Sequence, residues 1–260
     1  MTSENSVTSE NSVSEADTSR ASTVPAGGAA VRCLSMMAAG LVAAGLSWKA
    51  MGLIGDVFVL PPKLAGLSFG QAPPPAVQAE LAAATLQMNI KNAGLWMATT
   101  GGILGMVFGC GIGMLRGRSR SGLRVAIVTI VAGCLFGGIA GAAAIGAHTV
   151  ARQNMAVGAT SPSDQIVLLM HSLTWLIVSA GIGCGIWLGT RRPNRSRLDA
   201  VVVVGLAGLV GGCLFPIIAG IVFPAVNSTA PIPYLDPTAG RILWLSLPSA
   251  LMGLAIGRNG

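Results

Sequence analysis

Residues 92–115 read NAGLWMATTGGILGMVFGCGIGML, a run without one charged side chain and with glycine at 101, 105, 109 and 113. A helix rises about 1.5 Å per residue, so this run covers a hydrocarbon core of roughly 30 Å. Arg116, Arg118, Arg120 and Arg124 follow it, and 125–147 is uncharged again. The alternation then repeats: an apolar run at 165–190, Arg191, Arg192, Arg195 and Arg197, and another run at 200–226. Two further runs flank this block. The first, 33–55, is interrupted only by Lys49 near its end, and the last, 242–257, is short but bounded by Arg241 and Arg258. Long basic side chains at such ends reach the headgroups while their stems stay in the apolar phase. The sequence predicts an all-α polytopic membrane protein with six transmembrane helices.

Composition agrees. Charged residues are 10% of the chain and hydrophobic ones 52%, too little charge to cover the surface of a water-soluble domain of this size. Basic residues outnumber acidic ones, 16 to 9, yet most arginines sit beside apolar runs. That placement sets orientation in a bilayer rather than a nucleic-acid surface, and the few aromatics offer no base-stacking platform. Cys33, Cys110, Cys134, Cys184 and Cys213 lie in or beside apolar runs without a C-x-x-C pair, which reads as packing rather than a disulfide framework or a metal site.

Residues 1–30 form a separate region. TSENSV occurs at 2–7 and again at 8–13, with no apolar periodicity. Such a segment cannot offset the entropy of ordering, so a disordered tail is expected, and its polar, acidic start is not that of a secretory signal. The transmembrane domain is expected at 31–260. Between the first two runs, Pro61-Pro62 and Pro73-Pro74-Pro75 precede AVQAELAAATLQMNI at 76–90. A helix starting just after Pro75 is expected there, extending the second span beyond the bilayer or lying on its surface.

Six crossings place both termini on one side. The two arginine-rich turns share that side with Arg20, Arg32 and Arg258, so the positive-inside rule predicts cytoplasmic termini in a cytoplasmic membrane. GCGI occurs at 109–112 and 183–186, GCLF at 133–136 and 212–215, each pair in order around a basic turn. This predicts a parallel duplication of a two-span unit, and the end spans extend it to three hairpins. Three hairpins are also the count in mitochondrial carriers, but their P-x-[DE]-x-x-[KR] signature is absent from these spans, which excludes that family.

Glycine ladders are the strongest local signal: Gly101, Gly105, Gly109 and Gly113; Gly133, Gly137 and Gly141; Gly181, Gly185 and Gly189; Gly208 and Gly212. Four-residue spacing aligns each set on one helical stripe, where backbones approach closely, within the chain or between copies. Lining a narrow passage is the alternative use of such bare backbone. His148 and His171 are the side chains that titrate near neutral pH. The hairpin of the third and fourth spans puts them at similar heights, with Ser172 and Thr174 beside His171, a candidate proton or ion site. The pattern implies no cofactor and no metal set. The bilayer, and other membrane proteins or a second copy, are the expected partners. The expected function is that of a non-enzymatic accessory or structural membrane component, with a small-solute or ion transporter or channel as the alternative.

Overall fold

The computed structural model describes residues 26–66, 74–115, 119–153, 164–190, 197–222, 232 and 238–259. The TSENSV repeats and the centres of both arginine-rich turns lie outside the described residues. All elements within them are helices: α1 (Ala26–Ile54), α2 (Pro62–Ala65), α3 (Pro75–Leu115), α4 (Ser119–Gln153), α5 (Asp164–Thr190), α6 (Arg197–Val222) and α7 (Thr238–Asn259). All but the single-turn α2 are long and apolar enough to cross a membrane. The chain is an integral membrane protein whose outer faces meet lipid.

Several helices extend beyond the uncharged runs, which mark the membrane-buried cores, whereas α6 as described ends at Val222, short of the expected 226. The helix expected just after Pro75 forms and runs unbroken into the second span as α3, with Val77 and Gln78 donating to the Pro74 carbonyl. Pro75 suits this start because the first turn of a helix needs no N–H there. Likewise α4 overruns 125–147 at both ends and α1 starts before Cys33. The sixth span is not short, since α7 gains a turn from Thr238. At about 1.5 Å per residue, α3 is roughly 60 Å long and α4 roughly 50 Å, well beyond a hydrocarbon core.

The six long helices pack in chain order, each against the next, and α7 returns to α1. The bundle is therefore a closed ring. Its centre is filled by large side chains, among them Phe108, Trp175, Ile182, Phe215, Trp244 and Met252, all buried. The outward faces carry leucine, isoleucine and valine, such as Leu41, Leu135, Ile139 and Ile221, exposed to the bilayer.

Glycine sets the closeness of the seams. Along α3 and α4, a Cβ added at Gly101 would strike the Gly133 carbonyl, and one at Gly133 would strike that of Gly101. Gly105 faces Thr129, Gly109 faces the Ala126 Cα, Gly113 faces Gly122, Gly137 faces Met97 and Gly141 faces Ala93. Gly181, Gly185 and Gly189 of α5 turn toward Phe136, Thr129 and Val125 of α4. Gly208 and Gly212 of α6 rest on α5, at Ser179 and at the His171 carbonyl. The seam that closes the ring uses glycines outside the four-residue ladders of the central spans: Gly40 faces the Ser249 carbonyl, Gly253 that of Met36, and Gly257 the Cys33 backbone.

Beyond α1 the chain is clamped to α3. Gly55 takes a left-handed φ of 56°, which ends the helix at low cost for a residue without Cβ. Its carbonyl accepts from Trp96 Nε1 at 2.8 Å. Asn92 Nδ2 donates to the Phe58 carbonyl and Asn92 Oδ1 accepts from the Phe58 N–H, both at 2.9 Å. One buried side-chain amide thus satisfies both backbone groups of Phe58. Asn92→Ala should cost about 1–3 kcal/mol, because both Phe58 groups lose their partner. Thermal unfolding in detergent checks this, and Asn92→Gln should not rescue it, since the longer arm misplaces the amide.

A buried histidine and tryptophan layer as candidate functional site

His171 lies on the face of α5 that looks into the ring, two turns from the helix start, and is fully buried. Trp175, one turn further along the same face, is also fully buried. From α6, Phe215 sets its ring edge-on to the imidazole, with centroids 5.0 Å apart at 73°. From α7, Trp244 packs against Trp175 at 5.2 Å and donates its Nε1–H to His171 Nδ1 at 3.1 Å. Four large rings from three consecutive helices therefore form one layer.

The Trp244 bond decides the state of the histidine. An indole N–H only donates, so Nδ1 is an acceptor and the imidazole is the neutral tautomer with its proton on Nε2. A neutral ring suits a buried site, where an isolated charge would be expensive. In this arrangement Nδ1 is not open to take up a proton from solvent.

Neighbouring hydroxyls are handled locally. Ser172, Thr174, Ser179 and Ser249 each donate back to the carbonyl four residues earlier in their own helix. Pro248 has no N–H to return to the Trp244 carbonyl, and Pro216 none for that of Gly212. The Pro248 Cα packs on Gly211.

No protein-family model matches this chain, and neither curated proteins nor solved structures yield a match.

Of the two histidines named from sequence, the geometry gives His171 a built environment and His148 an ordinary one. Continuing the α4–α5 register from Gly189–Val125 and Gly185–Thr129 puts His171 level with the part of α4 just before His148. The imidazoles nonetheless face different neighbours. His171 turns to α6 and α7, while His148 is half-buried on α4, whose neighbours are α3 and α5. Among the described residues no group of three or more His, Cys, Asp or Glu side chains converges for a metal ion. All five cysteines are free. At each of the twelve ladder glycines an added Cβ would meet a neighbouring helix in the seams described above.

Sequence reasoning missed Trp175, Trp244 and Phe215 as partners of His171. A signal was present for Trp175, four residues after the histidine on the same face. None was present for Trp244, which reaches His171 only because the ring brings α7 against α6 and within reach of α5. Asn92 and Trp96 were likewise read as the start of a span, when they also hold the 55–58 segment.

Proposed function

We propose that this chain is a non-enzymatic accessory or structural component of a cytoplasmic membrane, with both termini in the cytoplasm. The observation that carries this reading is the use of the glycine faces: they are spent on seams inside one chain, around a centre filled by bulky side chains. Such a body is a stiff scaffold. The α3–α4 hairpin, longer than a bilayer is thick, is the part that it would present to a partner on the non-cytoplasmic side. The duplication expected from GCGI and GCLF fits the same scheme. Gly111 of α3 faces the preceding helix α1, and Gly185, the residue 74 positions on in α5, faces the preceding helix α4. On this reading the three repeat units are α3–α4, α5–α6 and α7–α1.

Cross-linking in native membranes from a site on the α3 extension, such as Gln87→Cys, tests the scaffold reading. The expected result is one stoichiometric adduct, absent when the reactive group is placed on the lipid face at Ile139. Equal labelling from both sites would defeat it.

The transporter reading retains one specific support, the buried layer around His171. It predicts that proteoliposomes holding the protein take up a small solute or protons, and that His171→Ala abolishes that uptake. Vesicles no leakier than protein-free controls across a panel of solutes would remove it.

A further inference from the structure

Among the described residues, Arg32 Nε and Arg241 Nε near helix starts are buried without a hydrogen-bond partner, and so are polar atoms of three fully buried side chains within the ring: Ser47 Oγ on α1, Thr100 Oγ1 on α3 and Trp175 Nε1 on α5. Their isolation is unusual within this molecule. Thr99, Thr129, Thr149, Ser172, Thr174, Ser179 and Ser249 all return their hydroxyl protons to their own helix. That back-bond is the ordinary refuge of a hydroxyl in an apolar medium, and Ser47 and Thr100 do not take it. An unsatisfied donor buried away from water is costly, and these three fully buried side chains call for a common cause.

The register of the ring brings them to one level. Met36 of α1 touches Gly111 of α3, and further along the same seam the Gly55 carbonyl meets Trp96. Ser47 is eleven residues from Met36, and Thr100 eleven from Gly111. Three helical turns are close to eleven residues, so both hydroxyls return to the faces that make the Met36–Gly111 contact, between the two fixed points. On the other side of α1, Gly40 faces Ser249 and Gly253 faces Met36. Following that antiparallel register puts Ser47 within one turn of the level of Trp244. Trp244 in turn packs on Trp175 and binds His171. Thr100, Ser47, Trp244, Trp175 and His171 thus share one layer, about two turns in from the same end of the ring. Ile232, from the connection between α6 and α7, is buried in the same core.

We propose that Ser47, Thr100 and Trp175 hold a water-sized, uncharged molecule that both donates and accepts hydrogen bonds. Charge is excluded by the chemistry of the layer, which offers hydroxyls, an indole N–H and a neutral imidazole but no carboxylate or cation to balance an ion. Size is bounded by the packed core, in which Trp96 and Leu104, one turn either side of Thr100, and Trp244 are all buried. A donor is needed for the hydroxyl oxygens and an acceptor for the indole N–H, and water supplies both. Two sources share this chemistry: a resident water, or a permeant solute of similar size. The inference goes beyond the scaffold reading and does not depend on it.

The test compares Ser47→Ala, Thr100→Val and the double variant with the wild type, all full-length in detergent. If the three groups share a bound molecule, each single substitution lowers Tm by a few degrees and the double falls by clearly less than the sum. If the hydroxyls are simply unsatisfied, removing them leaves Tm unchanged or raises it, which would overturn the proposal. Radiolytic hydroxyl labelling gives an independent readout, because bound water generates the radical in place. Trp175 should be oxidised at least several-fold faster than the equally buried Phe108, and the double variant should lose that excess. Labelling of Trp175 at the Phe108 rate would also overturn it. Stopped-flow swelling of proteoliposomes in urea or glycerol then separates the sources. Uptake lost in the double variant identifies a permeant solute, and labelling without uptake identifies resident water.

Discussion

Gly101→Leu will not give a stably folded protein. At this position the obstacle is backbone on both sides, since a Cβ on either Gly101 or Gly133 runs into the other's carbonyl. No change of rotamer relieves a clash that begins at Cβ, so α3 and α4 must separate. Separation then loses the close contacts of the whole seam, from Gly113–Gly122 at one end to Gly141–Ala93 at the other. Adding volume to a tight core costs about 1–3 kcal/mol per modest insertion, and a leucine placed between two backbones should exceed that range. Gly146→Leu is the control, because a Cβ there meets nothing within 4 Å. Thermal unfolding and size-exclusion profiles in detergent check the pair. The expected outcome is an aggregated or early-melting Gly101→Leu beside a near-normal Gly146→Leu. Equal stability of the two would mean that the α3–α4 seam is not the close one described.

The second large effect is expected at Trp244. Trp244→Ala removes one of the largest fully buried side chains and leaves His171 Nδ1 without its donor. Truncating a buried tryptophan typically costs about 3–5 kcal/mol. Trp244→Phe separates packing from hydrogen bonding: it keeps an aromatic ring against Trp175 but cannot donate to His171. It should recover a substantial part of the loss. A Trp244→His171 bond that matters should also appear in the combination with His171→Leu. There the penalty of Trp244→Phe should shrink by about 1 kcal/mol, the usual net worth of one neutral hydrogen bond. Strict additivity in that cycle would show that the bond contributes nothing.

The parts of this structure that sequence made visible are those governed by local rules. Uncharged length gave the six spans, and four-residue glycine spacing marked the faces on which α3, α4 and α5 pack. Helix ends were less visible, because charge marks where the membrane stops and not where hydrogen bonding stops. Thr238 begins its helix a turn before the last apolar run, whereas the start of α3 was legible from Pro75. The closing seam was hidden for a different reason. Gly40, Gly253 and Gly257 are more than two hundred residues apart across α1 and α7, and only the closed order of the ring makes them neighbours. His171 could be picked out as a buried titratable residue, but its state depends on Trp244, a contact 73 residues away. Ser47 and Thr100 carried no signal at all. Serine and threonine are ordinary in membrane helices, and what distinguishes these two is a missing bond.

The closed ring is the central claim, and its seam between the first and last helices offers the most direct measurement. In the structure the Gly257 backbone lies against that of Cys33, too close for a Cβ at 257 itself. With the other four cysteines replaced by alanine, Arg258→Cys, one residue on and exposed, should therefore be joined to Cys33 by a short, reducible bis-maleimide. Cyanogen bromide cleavage at the intervening methionines would leave the first and last fragments joined until reduction. The account predicts that joined product within single chains, at high yield and independent of protein concentration. Free fragments, or a bridge that forms only between chains, would contradict the ring.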